Sequence, residues 1–253
     1  MNRLSAFAAP PSSSKSPAAR LKRPALGAAA PRHESPSCLL APLHYERNYA
    51  YPLLVWLHGP EGDEREVKRI MPLVSLRNYV SLAVRGPAAD RRGFGWPDTA
   101  DGILTAESRI ADAVCQARQK FNVHTDRIFL AGFGAGGTMA LRLALRRPDR
   151  YAGAASLAGS FPTGHAPLSR LAAVRRSRML IMHCRDSESY SVSRVCQELA
   201  LFHAAGLSVT LRQYPCGDEL TTQMLSDLDV WLMEQVTGVP AAAEAVPLPS
   251  EWN

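Results

Sequence analysis

Six short apolar runs, separated by helical patterns, set the architecture this chain can adopt. Residues 53–57, 80–84, 127–131, 153–158 and 179–182 have strand length and are too continuously apolar for a sheet with a wet face, and residues 208–213 also read as a strand. Between them, Ile103, Ala106, Ile110, Ala113, Val114 and Ala117 recur at helical spacing, as do Val192, Val195, Leu199 and Phe202. Leu220, Met224, Leu228, Trp231 and Gln235 continue the pattern into a closing helix that runs to about residue 236. This alternation predicts an α/β fold, a mostly parallel central sheet with helices on both faces. The helical stripes are core faces and imply no cofactor. No internal repeat is present.

With 253 residues and 46% apolar content, the chain has material for one domain of ordinary size. Its excess of six positive charges is concentrated at one end: Arg3, Lys15, Arg20, Lys22, Arg23 and Arg32 all precede the first acidic residue, Glu34, leaving 23 basic and 23 acidic residues after it. The sequence pI of about 9.3 thus reflects a basic N-terminal segment, and a nucleic-acid partner for the domain is not expected. Residues 1–37 are rich in Ala, Pro and Ser, a composition that buries too little apolar surface to offset about 1–2 kcal/mol of backbone entropy per residue. A disordered basic tail is the expectation there, with an organelle transit peptide or an electrostatic tether as alternatives. The expected domain covers residues 38–237, and a second flexible tail, with Pro240, Pro247 and Pro249, covers 238–253. No stretch reaches the length of about 18 apolar residues that a membrane-spanning helix needs, and the first residues lack the apolar run of a secretory signal. Five cysteines, Cys38, Cys115, Cys184, Cys196 and Cys216, form no CxxC pair and read as reduced thiols of a cytoplasmic protein.

The strand at 127–131 runs into Gly132-Phe133-Gly134-Ala135-Gly136-Gly137 and then a helical pattern. Here the chain resembles the α/β-hydrolase superfamily, in its phospholipase/carboxylesterase/acyl-thioesterase-like, dienelactone-hydrolase-like branch. Other landmarks of the family follow in order: His58-Gly59 ending an apolar strand, Gly95-Trp96-Pro97-Asp98 ahead of a helix, and residues 179–183 followed by an acidic cluster. The resemblance extends over about residues 39–236. It implies an ester-cleaving ancestry, and with it a Gly-x-Ser-x-Gly turn that carries a nucleophile.

Against that pattern, the central position of the turn is Gly134, which has no hydroxyl to attack a carbonyl. By the resemblance, the family's histidine falls at Asp218, in the loop 214–219 after the last strand. A carboxylate near pKa 4 is a poor general base at neutral pH. The acid position falls at Asp186 in one alignment frame and at Ser187 in the other. The residue after His58-Gly59, whose N–H serves the family's oxyanion hole, is Pro60, which has no N–H. Ala135 retains the second donor.

The triad-equivalent positions are therefore Gly134, Asp186 and Asp218, and the binding positions are His58, Gly59, Pro60, Trp96 and Ala135. The expected function is that of a hydrolase-family member which has lost catalysis and binds or scaffolds. One alternative is an active esterase or thioesterase with a displaced nucleophile, Cys184 or Cys216, served by His183 or His165. Another is an interaction protein working through its basic tail. His58 reads as a structural strand-end residue, not a metal ligand, while Trp96 and Asp98 brace a loop near the pocket mouth. Ser156 and Ser160 lack flanking glycines and read as non-nucleophilic. Pro60, Glu61, Gly134, Ala135, Asp186, Asp218 and Glu219 predict an acidic cleft, suited to an unknown small neutral or cationic ligand or to a protein partner.

Overall fold

The computed structural model describes residues 35–89 and 92–240. The basic segment expected over residues 1–37 lies outside the described residues as far as residue 34, and so does the C-terminal segment beyond residue 240. Seven strands form the central sheet: β1 (Ser37–Leu40), β2 (Tyr51–Leu57), β3 (Val80–Val84), β6 (Val123–Phe133), β7 (Gly153–Leu157), β8 (Arg178–Cys184) and β9 (Ser208–Tyr214). A two-residue ribbon pairs β4 (Ala88–Ala89) with β5 (Phe94–Gly95). The helices are α1 (Val67–Val74), α2 (Ala100–Lys120), α3 (Ala135–Arg146), α4 (Leu171–Val174), α5 (Val192–Ala205) and α6 (Thr222–Thr237).

The strand order is β1-β3-β2-β6-β7-β8-β9, with β1 antiparallel to β3 and every other pairing parallel. The chain winds outward from β2 to β3, returns to lay β6 on the other side of β2, and then winds outward to β9. The direction of winding thus reverses between β2 and β6, and in open parallel sheets the functional crevice lies outside the carboxyl ends of the strands at such a point.

Successive residues of each strand serve opposite faces. Leu53, Val55 and Leu57 join Ile103, Ile110, Met139, Leu143, Val195 and Phe202 on the face covered by α2, α3 and α5. Leu54, Trp56, Phe129 and Ala131 join Val67, Ile70, Met71, Leu228 and Trp231 on the face covered by α1 and α6. Two-sided burial explains why β2, β3 and β7 are buried at every position.

All six expected strands and all four expected helices form, with shifted ends. The strand beginning at Gly153 stops at Leu157 because Ala158 adopts a positive φ of 55°, and α6 begins at Thr222 because the Thr221 side chain caps it by accepting from the Met224 N–H. Leu220 therefore packs against the core from the preceding loop. Gly206 and Gly238 close α5 and α6 in the left-handed conformation.

Candidate functional site

The turn between β6 and α3 has the backbone of a nucleophile elbow. Gly134 sits at φ 53°, ψ −121°, a conformation that an L residue adopts only under strain of about 1–3 kcal/mol. Its N–H donates to the Leu157 carbonyl at 2.8 Å and its carbonyl accepts from the Thr138 N–H at 3.0 Å, so the turn is fixed at both ends. The surrounding glycines are dictated by backbone approach: a Cβ on Gly136 would come within 2.3 Å of the Leu57 carbonyl oxygen, and one on Gly132 within 2.6 Å of the same atom. A Cβ on Gly134 would meet a different neighbour, the Pro60 ring, with Cδ at 3.2 Å and Cγ at 3.5 Å. Pro60, at the end of β2, thus leans over the point from which a nucleophile would project, and supplies no N–H there.

His58 is fully buried beneath this turn. The Gly86 N–H donates to its Nε2 at 2.9 Å, which leaves the proton on Nδ1, donated to the Gly59 carbonyl at 2.8 Å. Both nitrogens are committed, and burial holds the ring below the ordinary imidazole pKa, favouring the neutral form. Trp96 packs on His58, with ring centroids 5.0 Å apart, and donates its indole N–H to the His58 carbonyl at 2.9 Å. Asp98 accepts from Arg142 at 2.7 Å. The same buried guanidinium donates to the carbonyls of Thr163 at 2.7 Å and Gly164 at 3.1 Å, so it ties the loop after β7 to the loop before α2. His165, on that loop, is exposed and lies 4.0 Å from Asp98.

At the ends of β8 and β9 the structure assembles a second cluster. The Ser187 hydroxyl donates to Asp218, the Ser189 hydroxyl donates to the same carboxylate oxygen at 2.8 Å, and the Ser189 N–H reaches its other oxygen at 3.2 Å. These donors, Ser187 foremost, hold the Asp218 carboxyl below its ordinary pKa. Of the two candidates after β8, it is therefore Ser187 that faces Asp218; Asp186 is exposed and pairs with Arg185 at 3.1 Å. The described contacts join Pro60 to Gly134, and Ser187 and Ser189 to Asp218, as two separate groups; none links Gly134 to Asp218 directly.

The thiols and histidines considered as replacements are otherwise engaged. Cys184 is fully buried, and burial followed by contact with the Cys216 thiol pushes its pKa upward, away from the thiolate that nucleophilic attack requires. His183 spends Nε2 on the Tyr190 carbonyl at 2.8 Å and Nδ1 on the Gln213 amide at 3.2 Å. Ser156 donates to the Gly159 carbonyl at 2.7 Å from a fully buried position. Glu61, Asp218 and Glu219 are exposed.

Two participants were not identified from the sequence. Ser189 sits in an irregular loop, and its contact with Asp218 spans 29 residues. Arg142 did carry a signal, since it is the one cation inside the otherwise apolar stretch 139–145.

Comparison with known proteins agrees with this architecture. A model of the phospholipase/carboxylesterase family matches residues 95–234, more than half of the chain. NocK of Nocardia uniformis subsp. tsuyamanensis, named as an esterase, is 33% identical over 120 residues, covering 44% of this chain and 34% of that protein. The match thus spans about a third of that relative's length. Among solved structures, Zea mays acyl-protein thioesterase 2 superposes with a TM-score of 0.66 at 16% identity, covering 80% of this chain and 99% of that one. The Bacillus cereus carboxylesterase gives 0.65 at 15%, covering 81% and 96%. At such identities these likenesses establish the fold, a mostly parallel sheet of the α/β-hydrolase type. Together with the elbow at Gly134, the family match places this chain: it belongs to the phospholipase/carboxylesterase family of α/β-hydrolases.

Proposed function

We propose that this family member has lost ester hydrolysis and acts as a binding or scaffolding protein through the cleft at the carboxyl ends of its strands. The observation that carries the reading is the elbow itself: Gly134 keeps the backbone geometry, while the Pro60 ring lies 3.2 Å from where a Cβ would be. A side chain there would require the Pro60 ring to give way by a few tenths of an ångström. Pro60 also removes one oxyanion donor, worth about 2.7–4 kcal/mol of transition-state stabilisation in a working enzyme. We take Ser187 and Asp218 to occupy the acid and histidine positions of the family's triad, and in that pair the carboxylate accepts and the hydroxyl donates, which leaves no imidazole to carry a proton.

The exposed carboxylates of Glu61, Asp218 and Glu219 favour a neutral or cationic ligand, or a basic protein segment, over an anionic one. A cytoplasmic setting, one domain over residues 38–237 and flexible tails at either end belong to the same proposal. The free thiols support that setting. Among the described residues no helix is long and apolar enough to cross a membrane.

The test is hydrolysis of p-nitrophenyl acetate and p-nitrophenyl butyrate by the purified full chain, beside Cys184→Ala and Ser187→Ala. The expected result is a rate equal to buffer for all three. Turnover by the wild type that either substitution abolishes would overturn the proposal and identify the displaced nucleophile.

A further inference from the structure

A cavity of about 550 Å³ opens at the opposite end of the sheet from the elbow, between the second half of α2 and the starts of β6 and β7. That volume falls within the range of small-molecule sites, about 300–1,000 Å³. Ile128 on its wall and Gly134 are six residues apart along β6, so the two regions are separated by about 20 Å. The cavity is distinct from the cleft described above.

Its lining is lopsided in chemistry. Arg118 and Arg150 both line it, and neither guanidinium pairs with a carboxylate or donates a hydrogen bond to another described residue. Tyr151 lines the cavity too. It is 8% exposed, and its hydroxyl has no hydrogen-bond partner among the described residues yet is not sealed from solvent. The one carboxylate on the wall, Asp149, is already held by Arg170 at 2.8 Å. Apolar groups, Val114, Ile128 and the Tyr151 ring, share the lining with Gln119 and Thr125. Unpaired donors beside apolar groups select a ligand with an anionic, acceptor-rich head and an apolar body, because guanidinium groups bind carboxylate or phosphate oxygens with charge-assisted bonds while the body leaves water.

We propose that this cavity is a second binding site for a small amphipathic anion, an acyl or aryl carboxylate or phosphate, read by Arg118, Arg150 and the Tyr151 hydroxyl. The site requires nothing of the elbow and stands whether or not the chain hydrolyses esters.

Cys115 provides a direct readout, since it is an exposed thiol on the cavity wall, while Cys196 is an exposed thiol on α5 outside it. Alkylation of both by iodoacetamide, mapped by mass spectrometry on the full chain, is followed with octanoate, octan-1-ol or inorganic phosphate present. Octanoate is expected to slow Cys115 alkylation about tenfold at ten times its dissociation constant while leaving Cys196 unchanged. The double substitution Arg118→Gln with Arg150→Gln is expected to remove that protection, with the urea midpoint showing that the fold persists. Equal protection by octan-1-ol would overturn the proposal, because the guanidinium groups would then not be reading the head. Equal protection by phosphate would overturn the role of the apolar groups. No protection at millimolar octanoate, or equal slowing of Cys196, would dispose of the site altogether.

Discussion

At Gly134 the family's most strained position has been filled by the residue that tolerates the strain. Placing a serine there adds two costs that the structure separates. One is the backbone penalty of φ 53° and the other is the 3.2 Å approach to Pro60 Cδ. Gly134→Ser is expected to destabilise the fold by about 1–3 kcal/mol in urea titration. Pro60→Gly should relieve the second cost and not the first, so the double substitution should show a favourable coupling of about 0.5 kcal/mol or more. Strict additivity would mean that Pro60 does not crowd the elbow.

A second residue-scale consequence concerns His58. Its folded pKa lies below the ordinary value of about 6.5, so between the two the unfolded chain binds a proton that the folded one does not. Stability should therefore fall as pH drops below about 6.5, by up to about 1.4 kcal/mol per pH unit, and this group should contribute no slope above that pH. Urea midpoints of the wild type and His58→Asn between pH 5 and 7 check this, and an acid limb of unchanged steepness in the variant would refute it. At this scale, the glycine at the centre of the elbow and the lack of a Pro60 N–H could be read from residue identity alone. The choice of Ser187 over Asp186 as the partner of Asp218 could not, because adjacent loop residues point in different directions that only packing settles.

At the scale of elements, most of the strands that sequence patterning located are buried on both faces, where an uninterrupted apolar run is unambiguous; β9, at the sheet edge and only partly buried, is the exception. What it missed was short or interrupted. β1 has four residues directly after Pro36 and pairs on one side only, at the sheet edge. α1 buries Val67, Ile70, Met71 and Val74 on one stripe, but spans eight residues with Pro72 inside, too brief and broken for its periodicity to stand out. The loop after β7 is held in part by the buried side chain of Arg142, which satisfies the carbonyls of Thr163 and Gly164, while Glu198 accepts from the Phe161 N–H and Thr138 donates to the Ser160 carbonyl. Arg142→Met is expected to cost about 2–3 kcal/mol and to raise amide exchange across residues 161–166. Asp98→Ala, at a half-exposed position, should cost no more than about 1 kcal/mol. Equal losses from the two would mean that the ion pair, not the carbonyl contacts, holds the loop.

On the scale of the whole molecule, both core clusters are built from residues 51–236, and partly buried residues of β1 pack against each. A chain cut to residues 35–240 is expected to unfold cooperatively, with a Tm within about 4 °C of the full chain, as measured by calorimetry. A larger drop would show that the end segments contribute to the core. The sequence by itself determined the layered α/β plan, the position of the elbow and the glycine at its centre, because each is written in local periodicity or in the identity of a single side chain. Tertiary structure alone decided that Pro60 sits over Gly134, that Ser187 faces Asp218 across 31 residues, that Arg142 is buried, and that Arg118, Arg150 and Tyr151 line one cavity. Those relations depend on which strands become neighbours and how loops cross their ends, and pairing between distant segments leaves no periodic trace in any one of them.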